Sequence, residues 1–261
     1  MLPDDLSAAL VSLRDRRPDV SLDVRWHASV PSTMDAAAAL VAEGARHGVV
    51  VGADEQRSGR GRRGHTWESP AGAGLYLSFI ARPPLHDNAS LPLVTLAAGV
   101  AVREGVNAAT GLAPSLKWPN DVMVGRHKLA GILAEGLGIG TPAQAVVVGV
   151  GLNLHASSYP PEVASRATSI EGELGRAVDR GLILAEVLAA LCDRLADLER
   201  SPSDILLAWR AASPSASGTR VEWDGGAGMT AGIDDSGALL VRTPQGTERV
   251  IAGELTWHLG A

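Results

Sequence analysis

Residues 116–135 read LKWPNDVMVGRHKLAGILAE and decide the architecture more than any other stretch of the chain. Residues 116–124 and 128–135 are predicted to form two strands joined by a turn at Gly125-Arg126, as in a β-hairpin. Because a hairpin pairs its strands in antiparallel fashion, the sheet that contains it is mixed or antiparallel. Gly131 inside the second strand indicates either a bulge or the close approach of a ligand or another backbone.

Helical and strand patterns alternate irregularly on both sides of this hairpin. Apolar residues at helical spacing predict helices over residues 3–17, 34–43, 91–109, 180–199 and 204–212. Short apolar runs predict strands at 22–30, 48–53, 75–81 and 145–154, and residues 155–166 are predicted to form a loop. The missing strand–helix–strand regularity favours an α+β fold with a mixed sheet.

The composition changes near the C-terminus. Ser, Pro, Ala and Gly dominate residues 211–218, which indicates a linker or boundary. Short strands are predicted at 220–223, 229–233, 238–242, 248–251 and 255–258, with a hairpin turn at Asp234-Asp235-Ser236-Gly237. We therefore predict a larger domain over 1–213 and a small C-terminal β-barrel over 214–261.

The composition excludes several classes of protein. Hydrophobic residues make up 46% of the 261 residues and charged residues 20%, as in ordinary globular proteins. A net charge of −6 disfavours binding to nucleic acid or anionic membranes. The single cysteine, Cys192, rules out an internal disulfide framework and a Cys-rich zinc site. Without a signal peptide pattern or a run long enough to span a bilayer, we expect a cytoplasmic protein.

Lysine is rare in this chain. Of 23 basic residues, Lys117 and Lys128 are the two lysines and the other 21 are arginines. Both lysines fall at opposite ends of the predicted hairpin, near Asn120-Asp121. Coding bias with chance clustering is one interpretation. The other is a site that needs a compact ammonium group, which the planar guanidinium of arginine does not replace.

Two glycine-rich segments are candidates for ligand contact. Gly59-Arg60-Gly61-Arg62-Arg63-Gly64, followed by Trp67, combines a backbone that can approach a ligand with forked donors for phosphate or carboxylate. It fits an ordered anion-binding loop, or a solvated or nucleic-acid-binding basic segment. Gly149-Val150-Gly151-Leu152-Asn153 leaves one strand face nearly bare. That face could be the wall of a slot for a flat ligand, or could pack closely against a helix.

The order and spacing of these segments, together with Ser32-Thr33, Gln56 and the ending Ala252-Gly253-Glu254-Leu255, resemble bacterial biotin protein ligases (biotin–[acetyl-CoA-carboxylase] ligases). The resemblance implies a mixed-sheet catalytic domain similar to class II aminoacyl-tRNA synthetases and lipoate ligases, followed by an SH3-like β-barrel. Met34 replaces the usual asparagine after Ser-Thr, and His65 replaces a common arginine. The first predicted strand begins at residue 22, too early for the winged helix-turn-helix of repressor members, so we expect no DNA binding.

The activity that the resemblance implies has two steps. Biotin and MgATP give biotinyl-5′-AMP, and a lysine of a biotin carboxyl carrier protein then takes the biotin. ATP and biotin are thus substrates, with Mg²⁺ as cofactor. No membrane partner is expected, and a monomer and a homodimer are both compatible with the sequence.

The resemblance also implies roles for particular residues. Those implied to be catalytic are Lys128, Arg62 and Arg60. Those implied to bind biotin are Ser32, Thr33, Met34, Gln56, Gly59, Arg60, Gly61, Arg62, Trp67, Lys128, Gly131 and Gly151. Those implied to bind ATP are Arg62, Lys117, Trp118, Asn120, Asp121, Lys128 and Asn153. Asp121 is the candidate magnesium ligand, directly or through water, and residues 155–166 would cover adenine.

Three other functions compete with this one. A lipoate or octanoate ligase or transferase of the same fold should lack the arginine-rich loop and need a longer apolar tunnel. A nucleic-acid-binding module would use the Arg-Gly segment, but the acidic net charge and the scarcity of aromatic residues argue against it. A structural protein with a degenerate site would have no reason to keep both lysines.

Overall fold

A computed structural model describes residues 2–83, 90–155, 161–251, 253 and 255–258. Seven strands form the larger sheet in the order β1-β2-β3-β7-β6-β5-β4. Their bounds are β1 Asp23–His27, β2 Val49–Ala53, β3 Gly74–Ala81, β4 Ser115–Lys117, β5 Asp121–Val124, β6 His127–Leu137 and β7 Ala145–Asn153. Strands β1 and β2 are parallel to each other. Every other pair of neighbours in the sheet order is antiparallel. The predicted mixed sheet is confirmed.

The predicted hairpin at 116–135 contains one more turn than expected. The prediction of a single strand over 116–124 is wrong, because Trp118-Pro119-Asn120 separates β4 from β5. Pro119 follows a cis peptide bond and has no N–H to donate to a strand ladder. The extra turn pairs Lys117 with Asp121 across β4 and β5. It therefore brings one lysine back beside the acidic residue.

Helices cover both faces of the larger sheet. The helices are α1 Asp4–Arg16, α2 Thr33–Ala42, α3 Leu91–Thr110, α4 Pro161–Ala164, α5 Ile170–Leu174, α6 Arg180–Arg200 and α7 Pro202–Ala212. Strand β2 is buried throughout and alternates its side chains between the two faces. Val50 joins the main core with α3 and α6, whereas Val49 and Val51 pack with Met34 of α2. The larger sheet is thus the middle layer between α2 on one face and α3 with α6 on the other.

A second, five-stranded antiparallel sheet follows α7. Its order is β11-β10-β9-β8-β12, with bounds β8 Ser217–Trp223, β9 Gly226–Ile233, β10 Leu239–Thr243, β11 Gly246–Val250 and β12 Thr256–His258. Asp234 accepts hydrogen bonds from the backbone N–H groups of Ser236 and Ala238, which closes the predicted turn. The expected C-terminal β structure is confirmed as this open sheet. The connection at 213–216 is ordered, with Ser213 and Ala216 buried.

Two other expectations concern the loops. Of the predicted loop 155–166, residues 156–160 lie outside the described residues, and α4 follows where no helix was predicted. Ala252 and Glu254 of the C-terminal motif also lie outside them. Within the described part of the chain, no helix is both long and apolar enough to cross a bilayer.

Candidate active site

A cavity of about 540 Å³ is lined by α2, residues Arg60–Arg63, strands β4 to β7 and the end of the C-terminal sheet. Most residues that the sequence singled out line it. They are Thr33, Met34, Gln56, Arg60, Gly61, Arg62, Trp67, Lys117, Trp118, Asn120, Asp121, Lys128, Gly131, Gly151 and Asn153. His65 lines it as well, whereas Ser32 and Gly59 do not belong to the lining.

The base of the cavity holds a fixed polar network around Gln56. Thr33 donates from its backbone N–H and its hydroxyl to Gln56 Oε1, over 2.9 and 3.0 Å. Gln56 Nε2 donates to Ser69 Oγ over 2.8 Å, and Ser78 Oγ donates to Thr33 Oγ1 over 2.9 Å. The sequence did not point to Ser69 or Ser78, because each is a common residue in or beside a strand. Both fix the orientation of predicted ligand contacts.

Ser32 and Gly59 each precede a residue of the lining, Thr33 and Arg60, without belonging to the lining themselves. Ser32 occupies the N-cap position of α2, but its side chain makes no capping hydrogen bond. The hydroxyl is buried and has no partner among the described residues. A Cβ on Gly59 would lie 2.3 Å from the carbonyl oxygen of Trp67, so glycine is required where the loop folds back. Gly59 therefore shapes the loop that carries Trp67.

The bare glycine face is covered by the protein's own side chains. Gly131 on β6 pairs with Gly151 on β7. A Cβ on Gly151 would lie 2.3 Å from Trp67 Nε1, and one on Gly131 would lie 2.8 Å from Trp67 Cζ3. Gly149 accommodates the thioether of Met34 on α2, whose sulfur lies 2.6 Å from a Cβ built there. The flat group that lies against Gly131 and Gly151 is thus the indole of Trp67. At Gly149 the strand packs closely against helix α2, which is the second of the two interpretations of the bare face.

Positive charges converge on the Asn120-Asp121 turn. Lys128 Nζ lies 2.6 Å from Asp121 Oδ1, and Lys117 Nζ lies 3.4 Å from Asp121 Oδ2. Lys128 Nζ also lies 5.2 Å from the centroid of the Trp67 ring. Arg62 approaches the same turn, with 3.5 Å between its Nη1 and Asn120 Oδ1. Lys128 and Arg62 therefore face one cavity.

Burial affects the Arg62 guanidinium. It lowers the pKa of Arg62 from its ordinary value, Arg63 acts in the same direction, and Asp121 opposes the shift. The lowered pKa means that the charged form is poorly solvated there. A bound anion would supply the compensation that water supplies at the surface.

Two predicted ATP contacts anchor the cavity wall. Trp118 is buried, and its indole N–H donates to the carbonyl of Gly237 over 3.0 Å, which joins the two sheets. Asn153 is also buried, and its Nδ2 donates to the Thr168 carbonyl over 3.0 Å and to the Lys128 carbonyl over 3.4 Å. Asn153 thus fixes the backbone that carries Lys128.

The donor set for a metal ion is small. Among the described residues, no three His, Cys, Asp or Glu side chains cluster closely enough to hold a metal on their own. Asp121 and Glu68 are the carboxylates of the lining. This set fits Mg²⁺, which commonly takes one or two carboxylates with phosphates and water.

The chain is similar to proteins of known activity. The model of the biotin/lipoate A/B protein ligase family matches residues 26–153, and that of the biotin protein ligase C terminal domain matches 227–255. A biotin–[acetyl-CoA-carboxylase] ligase of Paracoccus denitrificans is 38% identical over 232 residues, covering 85% of this chain and 95% of the relative. One of Mycobacterium tuberculosis is 37% identical over 219 residues, covering 81% and 79%.

A solved structure agrees with these sequence matches. Biotin protein ligase from Aquifex aeolicus, in complex with biotin and ATP, has a TM-score of 0.78 and 28% identity, covering 91% of this chain and 99% of that one. The identities, the coverage and the match of both domain models lead to one conclusion. The chain belongs to the biotin/lipoate A/B protein ligase family, and within it to the biotin protein ligases.

Proposed function

We propose that this chain is a biotin–protein ligase that makes biotinyl-5′-AMP from biotin and MgATP and transfers biotin to a lysine of a biotin carrier protein. The observation that carries the proposal is the cavity itself. Lys128 contacts Asp121 and Arg62 approaches Asn120 of the same turn, and both line one cavity with the polar pair Thr33 and Gln56. The biotin ligases among the relatives support the choice of substrate.

The first step joins two anions. A carboxylate oxygen of biotin attacks the α-phosphorus of ATP, the bond to the bridging β-phosphate oxygen breaks, and pyrophosphate leaves with the electron pair. Lys128 and Arg62 offset the repulsion between carboxylate and phosphate and the charge that develops in the transition state. Mg²⁺ carried by the phosphates would supply further neutralising charge, and Asp121 would hold it directly or through water.

The second step uses the mixed anhydride. The neutral amine of the acceptor lysine attacks the acyl carbon, the carbon–oxygen bond to phosphate breaks, AMP leaves and the amine loses a proton. The anhydride must be kept from water before the acceptor arrives. Residues Arg60–Arg63 and Trp67 line the cavity, where they would shield the anhydride from water.

Substrate selection follows from the two ends of the cavity. Thr33, Gln56 and the buried hydroxyl of Ser32 would hydrogen-bond the ureido ring of biotin. An analogue without such a ring would gain no hydrogen bond from Thr33 or Gln56 and would leave the buried Ser32 hydroxyl unpaired, which gives discrimination. The apolar chain of biotin would contact apolar residues of the lining such as Met34, Leu77, Ile132, Leu133 and Val150.

The remaining roles follow the same division. Lys117, Asn120 and Asn153 belong to the nucleotide side, and Arg60 with Gly61 closes the cavity. The open C-terminal sheet would correspond to the SH3-like barrel of the family, with the domains divided at 213/214. The match at residues 227–255 supports that division. Two residues of this C-terminal part, Leu255 and Trp257, belong to the lining of the cavity.

The decisive experiment is ATP–pyrophosphate exchange, with and without biotin. Biotin-dependent exchange, with no exchange on lipoate or octanoate, is the expected result. A carrier domain should then become biotinylated, and its Lys→Arg variant should not. Exchange that depended on lipoate would instead favour the alternative lipoate ligase activity within the same family.

A further inference from the structure

Arg60 crosses the mouth of the cavity between two carboxylates from different elements. Its Nη1 lies 2.8 Å from Asp35 Oδ1 and its Nη2 lies 2.5 Å from Glu135 Oε1. Asp35 lies in the first turn of α2, next to Met34. Glu135 lies in β6, two residues beyond Leu133. Met34 and Leu133 both line the cavity, so Arg60 joins its two walls.

Arg60 and Arg62 belong to the same glycine–arginine loop, residues 59–64, but have different surroundings. Arg62 is half-buried and faces Asn120 inside the cavity, whereas Arg60 is partly exposed and its terminal nitrogens face carboxylates. A guanidinium that already donates to two carboxylates has fewer donors left for a substrate anion. The geometry therefore gives the two arginines different roles: Arg62 faces the cavity, and Arg60 attaches the loop to its surroundings.

The backbone hydrogen bonds of residues 60–66 connect the glycine–arginine loop to itself, so side chains must attach it to the rest of the protein. Gly61 N–H bonds to the His65 carbonyl, and Arg60 bridges to Thr66, so these contacts lie within the loop itself. Arg63 has a left-handed backbone with φ of 55°, and residues 63–66 are exposed. The Asp35 and Glu135 contacts reach 25 and 75 residues away along the chain.

We propose that Asp35 and Glu135 are positioning residues which, through Arg60, hold the glycine–arginine loop closed over the reactive adenylate. We call the three residues the Arg60 clasp. The inference rests on the proposed function, since it assumes that an adenylate is retained. The pairs are partly exposed, so each should contribute a modest factor, and the two together roughly threefold to tenfold in the rate of loop opening.

The test uses the full chain with Asp35→Asn and Glu135→Gln combined. The matched control combines Asp204→Asn, in the first turn of α7, with Glu186→Gln, which breaks the remote pair to Arg16. Both double variants lose the same charges. One measurement is the rate of tryptic cleavage at Arg63 in the free protein. The other is the rate at which preformed, labelled biotinyl-adenylate leaves the enzyme without acceptor.

We expect cleavage and adenylate release to be about threefold to tenfold faster in the clasp variant than in wild type and control. ATP–pyrophosphate exchange at saturating substrates should stay within about twofold, because neither Asp35 nor Glu135 lines the cavity. Asp35→Glu in place of Asp35→Asn should restore part of the retention.

Equal rates in all proteins would overturn the clasp, and so would faster cleavage with unchanged release of adenylate. If wild type formed no adenylate at all, the proposed function would fail instead. The cleavage rates of the free proteins would still show whether Asp35 and Glu135 hold the loop.

Discussion

At the scale of single residues, Lys128 has the most defined surroundings in the cavity. Its ammonium group is held between Asp121 and the face of Trp67, and Asn153 fixes its backbone carbonyl. Contacts from β5, from the segment that carries Trp67 and from β7 thus fix the position of the Lys128 charge. Such preorganisation is what makes a cation effective against charge that develops during the reaction.

Lys128→Ala should abolish most adenylation while the protein stays folded. We expect a fall of about 10²–10³ in the rate of ATP–pyrophosphate exchange, the usual cost of one such electrostatic contact. Lys117 remains beside Asp121 as a counter-ion, so the carboxylate is not stranded. Lys128→Arg should recover only part of the rate, because a planar fork replaces a compact charge. Near wild-type exchange in the alanine variant would contradict the assignment.

Gly151→Ala should weaken biotin binding by displacing the Trp67 indole. The new Cβ would lie 2.3 Å from Trp67 Nε1, and the ring sits against the neighbouring Gly131 as well. If the bound state carries an overpacking cost of about 1–3 kcal/mol, the loss in affinity is roughly fivefold to 150-fold, which titration calorimetry would detect. Gly99→Ala is the control, since its nearest neighbour would be 3.7 Å away. Unchanged affinity in Gly151→Ala would show that the indole is not fixed there.

At the scale of elements, the packing of α3 against α6 depends on one glycine. A Cβ on Gly105 would lie 2.5 Å from Val187 Cα and 2.6 Å from Val187 N. Backbone atoms cannot rotate aside, so the two helices must separate. Gly99 lies on the same helix, six residues earlier, and has room for a methyl group.

Gly105→Ala should therefore lower the free energy of unfolding by about 1–3 kcal/mol, as overpacked core substitutions do. Gly99→Ala should instead raise it by about 0.5–1 kcal/mol, because alanine is the better helix former and meets no obstacle. Urea denaturation of the two variants beside wild type would check this. The same sign of change in both would contradict the difference in packing.

The elements show which features a sequence can predict. The long helices α3 and α6 were predicted to within a residue at their ends, since apolar periodicity extends over many turns. Strands β4 and β5 were merged, because each has only three or four residues and the turn signal Pro119-Asn120 between them was not used. The very short helices α4 and α5 gave no periodicity to detect.

The site was predictable to a similar degree. Gly131 and Gly151 were marked as positions of close approach, but Trp67, the side chain that fills the space, comes from a distant loop. Asp35 and Glu135 were not marked, because an isolated carboxylate carries no pattern of its own. Long-range pairing is therefore the part that only the structure supplies.

At the scale of the whole molecule, Arg180 connects three parts of the chain. From the N-terminal end of α6, it donates to Asp5 of α1 over 2.6 Å and to Asp54, just beyond β2, over 2.9 Å. Its hydrogen bonds lower the pKa of Asp5, and burial opposes this shift only in part. The charge state of Asp5 is therefore linked to the docking of α1 on the catalytic part.

The sign of the pH dependence follows from that shift. Because the pKa of Asp5 is lower in the folded than in the unfolded state, its contribution to stability is fully present above about pH 4. It is lost as the pH falls through the folded-state value. Asp5→Asn should consequently lower stability at pH 7, and the difference from wild type should shrink as the pH falls below 4. Asp4→Asn, in the same helical turn, leaves the contacts of Arg180 in place and should keep the wild-type slope. Thermal unfolding midpoints of the three proteins between pH 2.5 and 7 would measure this, and parallel curves for wild type and Asp5→Asn would contradict the linkage.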